Sequence, residues 1–439
     1  MKSERFIHID SYENGNHVVP ASPIFAREGD ILVSSQYKDI NHQYLNYLSS
    51  LVSINGDSVF PSLKNLTLLE PSGDGRTTAQ KTLKDFCLIG KLRQLVINDG
   101  LAGLQSFAIA SEMYPEDDSL MKLAKEIGLP LVSGSHEFFI ALGTKSVTRK
   151  IFKDLGLKVP DGVENITEGQ IDKLLANPQL LSSQDVWIKA DWGAFGLRNI
   201  YVAPIAIDAA REQFTKVSST YQGNYVIERH IQNAVSFPGV LMKIDNSCVC
   251  IQDIHEQLGV LGSTVYKPDE EDRKFFAKNP FLGPPFWWDD AGLKSKFEKE
   301  ARMIGSKLFD IGWRGNICVD AIIDSSKNIY WDEVNYRSGG STLVIEAIRK
   351  LYNSDEGACL EDMGVAFSVR HLRIGELTFG KLLNRLHRDL DLWTNEMNLV
   401  ILNADFYEKR GFDLVAFGKN VTNDKLASLL DMAEKKIRG

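Results

Sequence analysis

Short apolar runs alternate with helical stretches along the first third of the chain. The apolar runs predict strands at Ile31–Ser34, Leu66–Leu69, Leu95–Ile97 and Leu129–Val132. Apolar residues at helical spacing predict helices at Leu101–Tyr114 and Ser119–Ile127. Apolar strands separated by helices are typical of a parallel sheet covered on both faces. Residues 1–143 are therefore expected to form a Rossmann-like domain, although no GxGxxG follows a strand to indicate NAD binding.

From Thr144 onward a basic helical stretch and further strands replace this pattern. A helix predicted over Ser146–Leu155 ends at Gly156, a residue suited to a helix C-terminus. The predicted strands of this region are Val186–Ala190, Tyr225–Glu228, Val240–Ile244, Ile317–Ile323 and Ile329–Asn335. Asp269–Asp290, rich in Pro, Phe and charge, predicts a long loop or lid. A helix around Leu382–Leu392 and a strand at Leu399–Leu402 predict a small C-terminal cap.

The composition places the chain among ordinary globular proteins. It has 439 residues, of which 44% are hydrophobic and 10% aromatic, so disorder of the whole chain is excluded. The formal net charge of −8 argues against nucleic acid as a partner. No run of about 18 apolar residues occurs, and the first residues do not resemble a signal peptide, so no membrane is expected. Five scattered cysteines predict neither a disulfide framework nor a zinc site, and favour a cytoplasmic protein.

The segment from Ile317 to Arg337 carries the most chemical information. Two apolar-periodic runs flank Ser325–Asn328, a polar turn that is typical of a β-hairpin. If this turn is symmetric, Asp320 lies opposite Glu333, Ile322 opposite Trp331, and Cys318 opposite Asn335. Because side chains alternate along a strand, Asp320, Glu333, Asn335 and Arg337 are then expected on one face.

Two carboxylates placed face to face repel each other and destabilise a hairpin unless a cation binds them. Asp320, Glu333 and the amide oxygen of Asn335 form a hard oxygen set that suits Mg²⁺, whose other positions go to water and phosphates. Arg337, one pleat further along, is placed to hold a transferring phosphoryl group or an oxyanion. The alternative is a solvated polar strand face, which explains less well why Ile322 and Trp331 share it.

Further candidate contacts for anions lie on either side of this hairpin. Ser338–Thr342 precedes a helix predicted over Leu343–Leu351, and its backbone N–H groups are suited to a phosphate or a substrate carboxylate. The candidates are Gly339, Gly340 and Ser341, although an ordinary loop with Ser341 or Thr342 as helix cap fits equally well. Lys189 ends a predicted strand just before the loop Gly193–Gly196, which is able to fold over phosphates. Many strands nevertheless end in a solvated lysine.

Taken in order, these segments resemble the ATP-grasp superfamily. The matching residues are Lys145 with the following Leu155–Pro160, Lys189 before the glycine loop, Ile227–Ile231 as an adenine hinge, and Asp320 followed by Glu333, Asn335 and Arg337. The Glu-x-Asn-x-Arg ending with an upstream acidic residue is the specific part. The resemblance covers Thr144–Leu351, while the front is similar to the pre-ATP-grasp domain. Arg337–Ser341 and the cap most resemble peptide ligases of the pheganomycin biosynthesis type.

The resemblance implies an α/β fold with three parts: a pre-ATP-grasp domain (1–143), an ATP-grasp core with antiparallel sheets (144–351) and a small α/β cap (352–439). It implies ATP and Mg²⁺ as cofactors. Lys145 and Lys189 would hold the ATP phosphates, and the backbone at Glu228 and Ile231 would bind adenine. Asp320, Glu333 and Asn335 would carry the magnesium ion, and Arg337 would steady an acyl phosphate. The loop Gly193–Gly196 has fewer glycines than the loops of biotin carboxylase-like members.

The implied reaction joins a carboxylate to an amine through an acyl phosphate, with release of ADP and phosphate. Its substrates would be small amino acids or peptides, and a homodimer is a possible assembly. His255 and Gln257 lie near a predicted strand where they could face substrate, although a buried structural histidine is the simpler interpretation. Two other functions remain open: a biotin carboxylase-like enzyme that uses bicarbonate, and an ATP-binding regulatory protein without catalysis.

Overall fold

The structure is a computed structural model. It describes residues 5–9, 22–34, 41–51, 53, 56–61, 63–75, 77–106, 118–131, 136–177, 185–192, 199–203, 207–257, 281–282, 289–337, 340–352, 360, 363–372, 379–387, 397–405 and 411–438. The predicted loop Gly193–Gly196 and most of the predicted lid Asp269–Asp290 lie outside these ranges. Ser338, Gly339 and the end of the predicted helix Leu382–Leu392 lie outside them as well.

The N-terminal part contains a parallel sheet of four short strands: β1 (Phe6–Ile9), β2 (Ile31–Val33), β3 (Thr67–Leu69) and β4 (Gly103–Ser106). These strands pair in the order β3-β2-β1-β4. The helices of this part are α1 (Ser22–Phe25), α2 (Asn41–Ser50), α3 (Thr78–Lys84), α4 (Phe86–Asp99), α5 (Ser119–Ile127) and α6 (His136–Leu142), with a 3₁₀ turn at Leu63–Asn65. Two of the predicted strands and the helix predicted over Ser119–Ile127 are confirmed.

Two predictions for this part are wrong. Leu95–Ile97 belongs to α4, because Asp85 accepts the N–H of Leu88 at 2.9 Å to start a helix that buries Leu88 and Leu92. The helix predicted at Leu101–Tyr114 is replaced over Gly103–Ser106 by β4, which pairs with β1. The pattern missed β1 because His8 interrupts its apolar run. Leu129–Val132 contributes a single bridge, from Leu131 to Leu104.

A second, antiparallel sheet follows the helix α7 (Lys145–Asp154). Its strands are β5 (Gly162–Ile166), β6 (Val186–Ala190), β7 (Asn199–Val202) and β8 (Tyr225–Arg229), in the order β5-β8-β6-β7. The helices α8 (Glu168–Ala176) and α9 (Ile207–Ser218) share a core with one face of this small sheet, including Ile188 and Tyr225. The other face carries Lys189 and Glu228, because side chains alternate along each strand.

The large sheet has nine strands and runs into the C-terminal part. Its strands are β9 (Ala234–Ser236), β10 (Pro238–Ile244), β11 (Val249–Gln257), β12 (Phe281–Leu282), β13 (Gly315–Asp324), β14 (Ile329–Asn335), β15 (Val365–Leu372), β16 (Met397–Asp405) and β17 (Gly411–Lys419). Their order is β14-β13-β10-β11-β12-β15-β17-β16, with β9 paired to β13. The accompanying helices are α10 (Ala291–Ile311), α11 (Gly340–Leu351), α12 (Phe379–His387) and α13 (Asn423–Arg438).

Each face of the large sheet packs into a different core. On one face, Trp331 is fully buried, stacks on Phe297 of α10 with ring centroids 4.9 Å apart, and lies 6.2 Å from the ring of Phe152 on α7. On the other face, Leu241 joins a core with α11 and with α2. The N–H of Ile401 on β16 donates to the Tyr47 hydroxyl at 2.9 Å, which links the N-terminal and C-terminal parts directly.

Candidate functional site

The hairpin β13–β14 has the predicted register where the acidic residues lie. Asp320 pairs with Glu333, and Cys318 pairs with Asn335, as predicted. The predicted Ile322–Trp331 pair is wrong, because Trp331 lies opposite Ala321. The turn is one residue shorter than predicted: the N–H of Asp324 donates to the Asn328 carbonyl at 3.1 Å. A β-bulge further along β14 then restores the register before the acidic pair is reached.

The extra residue of this bulge is Asp332. Trp331 before it and Val334 after it both point into the apolar core, so two residues between them remain for the opposite side. A regular strand would place consecutive side chains on opposite faces, whereas a bulge re-aims one of them. Asp332 and Glu333 are both half-buried, and both meet lysines on the same side of the hairpin. The bulge thus gives the site a third acidic side chain that the sequence pattern did not reveal.

Amide donors surround the carboxylate of Asp320. The side-chain amides of Gln257 and Asn335 donate to its two oxygens at 2.6 and 2.9 Å, and the Cys318 thiol lies 3.5 Å away. Burial and the charge of Glu333 raise the pKa of Asp320 to about 6, against the lowering effect of the Gln257 hydrogen bond. The ionised form of Asp320 is therefore disfavoured unless a cation binds beside it.

A glycine opposite Asp320 makes room for the Gln257 contact. Gly239 of β10 pairs with Asp320 on one side and with His255 of β11 on the other. A Cβ atom added at Gly239 would lie 2.5 Å from Gln257 Nε2 and 2.8 Å from His255 Nε2. Gln257, considered from sequence as a residue facing substrate, instead reaches Asp320 across this gap. His255 is fully buried.

Two lysines from different elements meet the adjacent acidic residues of β14. Lys145 Nζ lies 2.9 Å from Glu333 Oε1, and Lys189 Nζ lies 2.6 Å from Asp332 Oδ1. Both lysines are more than nine-tenths buried. The charges of Asp332 and Glu228 raise the pKa of Lys189 above its ordinary value, against the opposing effect of burial. The structure thus brings Lys145 to the predicted metal ligand Glu333, and Lys189 to its neighbour Asp332.

Local backbone contacts explain why Lys145 lies there. Thr144 caps α7 by accepting the N–H of Val147 at 3.2 Å, so Lys145 is the first helical residue. The Lys145 N–H donates to the Asp191 carbonyl at 3.0 Å, and the Ser146 N–H donates to the Asp191 side chain at 2.7 Å. Asp191 follows β6 directly, so this cap ties the start of α7 to the strand that carries Lys189.

The side chain of Glu228 is part of the same ionic network. It lies 2.6 Å from Lys189 and 2.6 Å from Arg149, a fully buried residue that the sequence pattern did not single out. The backbone of Glu228 lies in the central strand β8, paired with Gly162 and Trp187. Ile231 lies beyond the end of β8 and is half-buried. The predicted adenine-binding role therefore concerns the C-terminal end of this strand and the residues that follow it.

The remaining candidates lie where β14 leads into α11. Arg337 is half-buried, and its N–H donates to the Asn335 carbonyl at 2.9 Å. Its charge acts to lower the pKa of Cys318, although burial and the charge of Asp320 raise that pKa overall. Gly340 begins α11 and Ser341 is buried beside it, whereas Gly339 lies outside the described residues. Arg337 and Asp320 thus lie near the same buried thiol.

The donor chemistry of the hairpin fits a magnesium ion. Asp320, Glu333 and Asn335 offer two carboxylates and one amide oxygen, and such sites leave other positions for water and phosphate. No group of three His, Cys, Asp or Glu side chains arranged to hold a metal occurs among the residues that the structure describes. A magnesium ion held at the hairpin would use the oxygens of Asp320, Glu333 and Asn335. In the same described ranges, no helix is long and apolar enough to cross a membrane.

Comparisons with known proteins define the fold. No protein-family model and no curated protein sequence matches the chain. A biotin carboxylase from Campylobacter jejuni in complex with an ATP ligand is similar in structure, with a TM-score of 0.62 at 12% identity over 99% of this chain and 91% of that one. An N5-carboxyaminoimidazole synthase from Aspergillus clavatus, in complex with ADP and 5-aminoimidazole ribonucleotide, has a TM-score of 0.56 at 10% identity over 100% and 99%. An L-amino acid ligase from Bacillus licheniformis has a TM-score of 0.56 at 11% identity over 99% and 98%.

These similarities extend over nearly the whole chain and confirm the predicted fold class. The chain has the ATP-grasp fold, with a parallel sheet in front of antiparallel sheets. Identities of 10–12% show the fold alone and do not assign a substrate.

Proposed function

We propose that the protein is an ATP-dependent carboxylate–amine ligase that forms an amide bond. The observation that carries this proposal is the convergence of Lys145 and Lys189 on the acidic residues of one hairpin, beside the opposed pair Asp320 and Glu333. Opposed carboxylates are suited to bind a metal ion, and the neighbouring lysines are suited to bind phosphate oxygens. Together they suit a metal-bound polyphosphate. The ATP-grasp fold and the similarity to a ligase structure support it.

In the proposed reaction, an oxygen of the substrate carboxylate attacks the γ-phosphorus of ATP, and the bond to ADP breaks. The amine nitrogen then attacks the acyl carbon, phosphate leaves, and the nitrogen loses a proton to solvent. A bound magnesium ion would neutralise phosphate charge during the first step. Lys145 and Lys189 would hold the phosphates, and Arg337 would stabilise the charge on the transferred group.

The other site residues follow the same proposal. Asp320, Glu333 and Asn335 would hold magnesium, and backbone at Glu228 and Ile231 would bind adenine. Gly339, Gly340 and Ser341 would bind the carboxylate substrate, since Ser341 is buried at the N-terminus of α11, where backbone N–H groups favour anions. No side-chain nucleophile is required, so positioning and charge neutralisation would supply the catalysis.

Finer assignments extend the proposal. We place the enzyme among acid–amino acid or peptide ligases, most similar to those of the pheganomycin biosynthesis type, with domains at 1–143, 144–351 and 352–439. The large sheet crosses the last boundary, from β12 to β15, so the core and the cap are structurally continuous. We propose a cytoplasmic location, because the chain has five scattered cysteines rather than a disulfide framework. A homodimer is proposed as the assembly.

A matrix of carboxylates and amines, each pair incubated with ATP and Mg²⁺, tests the function. ADP release is measured for every pair, and mass spectrometry detects products that have lost one water relative to the two substrates. We expect ADP release only when a carboxylate and an amine are both present. Release that needs bicarbonate and no amine would identify a carboxylase instead, and nucleotide binding without turnover for any pair would identify a binding protein.

A further inference from the structure

The proposed function assigns no role to Asp332, an acidic residue of the candidate site. The β-bulge in β14 places it beside Glu333, and its Oδ1 atom lies 2.6 Å from Lys189 Nζ. Its side chain is 20% exposed, and the charge of Lys189 lowers its pKa although burial opposes this. A solvent-exposed ion pair has little energetic value, whereas one this enclosed holds its partners in a defined geometry.

The contact constrains the direction of the Lys189 ammonium group. A lysine ammonium has three N–H donors, and Glu228 and Asp332 each accept one at 2.6 Å. Because these two acceptors fix two N–H groups of Lys189, the direction of its third N–H is fixed as well. A lysine side chain is flexible and its ammonium group rotates freely. Holding the ammonium group in one orientation would therefore help Lys189 to bind a phosphate.

The two acceptors are themselves anchored in different sheets. Glu228, on the small sheet, also binds Arg149 at 2.6 Å. Arg149 is fully buried and donates in addition to Glu164 at 2.8 Å and to the Pro160 carbonyl at 2.7 Å, so the partner of Glu228 is itself held by two further contacts. Asp332, on the large sheet, is the anchor from the opposite side. Without it, Lys189 would be held to its own sheet only.

We propose that Asp332 is a positioning residue, which orients Lys189 toward the phosphates and sets its distance from the metal ligand Glu333. The inference rests on the proposed function, because it assigns the phosphates to Lys189. The bulge is the device that makes it possible, since a regular strand would turn Asp332 into the apolar core. The alternative is that the carboxylate competes with phosphate for Lys189, and this alternative predicts the opposite effect on nucleotide affinity.

Calorimetric titration with MgADP distinguishes the two. For Asp332→Asn we expect binding to weaken by about tenfold, because the neutral amide holds the ammonium group less firmly. In a double-mutant cycle with Lys189→Met, the second substitution should add less than about twofold, since both variants remove the same oriented contact. A residue that only supports the fold would act additively. Tyr330→Phe, on the same strand before the bulge, should bind MgADP as the wild type does.

Tighter or unchanged MgADP binding by Asp332→Asn would overturn the inference, and so would additive effects in the cycle. Asp332→Ser serves as the second variant, and thermal unfolding reports whether each variant folds. If neither Asp332 variant folds while Tyr330→Phe does, Asp332 belongs to the framework and the inference is wrong. Failure of the wild type to bind MgADP would instead remove the proposed function, and this outcome is visible before any variant is made.

Discussion

Two aspartates, one fully buried and one half-buried, show how differently the front sheet and the candidate site surround a carboxylate. Asp30, directly before strand β2 of the parallel sheet, accepts the N–H groups of Phe6 and Arg27 at 2.8 and 2.9 Å and lies 2.8 Å from His8. Burial would raise the pKa of Asp30, but the hydrogen bond and charge of His8 and the two backbone donors outweigh burial and lower it.

Asp320 also has hydrogen-bond donors, yet its pKa is raised to about 6 because burial is reinforced by the charge of Glu333 directly opposite. Burial alone therefore does not determine the direction in which the pKa of a carboxylate shifts. The sign of the nearest charge does: Asp30 faces a histidine, whereas Asp320 faces another acid. A bound cation would relieve the repulsion between Asp320 and Glu333.

The largest expected effect is on catalysis. Glu333→Gln should reduce ADP release by about 100-fold or more, because it removes one proposed metal ligand and the ion-pair partner of Lys145. The folded state should keep its stability, since the repulsion on Asp320 disappears with the charge. ADP release and thermal unfolding are measured together, with Tyr330→Phe as the control. Turnover within a few-fold of the wild type would show that the opposed acids do not mark the site.

In the front sheet we expect the reverse: a loss of stability without a loss of nucleotide binding. Asp30→Asn should lower the free energy of unfolding by about 3 kcal/mol, because a fully buried, charged acceptor of several hydrogen bonds is lost. MgADP affinity per folded molecule should not change. Urea unfolding and calorimetry of the same preparation test this. A normal unfolding curve combined with weakened nucleotide binding would contradict the structural role.

The two aspartates should also differ in their pH dependence. The folded-state pKa of Asp320 is about 6 and its unfolded value is 3.8, so its stabilising contribution is complete below pH 3.8 and is lost as pH rises through 6. The loss is on the order of 2 kcal/mol, reduced because the residue is only half-buried. Asp320→Asn should flatten the pH profile of unfolding by that amount between pH 4 and 7.

Asp30 should leave that window unchanged, because a lowered pKa gives a contribution that is present above pH 3.8 and is lost only at more acidic pH. Urea unfolding of the wild type and of Asp320→Asn across the window provides the comparison. If the pH profiles of the two proteins superimpose, the charge of Glu333 does not disfavour the ionised form of Asp320. Added Mg²⁺ should raise the stability of the wild type more at pH 7 than at pH 5.

The smallest expected effect concerns the amide that supports Asp320. Gln257 donates to Asp320 at 2.6 Å and lowers its pKa, so Gln257→Met, of similar length but without the donor, should raise that pKa by less than about one unit. The midpoint of the pH profile of unfolding should move upward accordingly. Asn246→Asp, in an exposed turn, serves as a control for the procedure. A midpoint that moves downward would reject the role of the amide.

Much of the hairpin could be predicted from sequence, and its errors have a clear cause. The predicted pairing of Asp320 with Glu333 was correct, although the symmetric turn from which it was counted was not. The predicted symmetric turn was one residue too long, and the bulge at Asp332 cancelled that error before the acidic pair. Turn and bulge depend on hydrogen bonds, such as those of Asp324 to the N–H groups of Ser326 and Asn328, which the periodic pattern does not contain.

The front of the chain was predicted less well. Leu95–Ile97 is apolar over a length that suits a strand or the last turn of a helix, and only the cap at Asp85 and the buried spacing of α4 decide between them. β1 was missed because His8 interrupts its short apolar run. Its partner Asp30 lies directly before the next strand, β2, at a sequence separation that no local window covers.

The amino-acid sequence by itself determined which residues are candidates for the site: an acidic hairpin, two lysines ahead of it and an arginine after it, in an order that resembles ATP-grasp enzymes. The periodic pattern suffices for this because strand side chains alternate regularly. The tertiary structure alone decided which acid meets which lysine, the bulge that adds Asp332, and the buried Arg149 that anchors Glu228. These contacts join residues far apart in the chain, and only packing, which fixes distances between elements, brings them together.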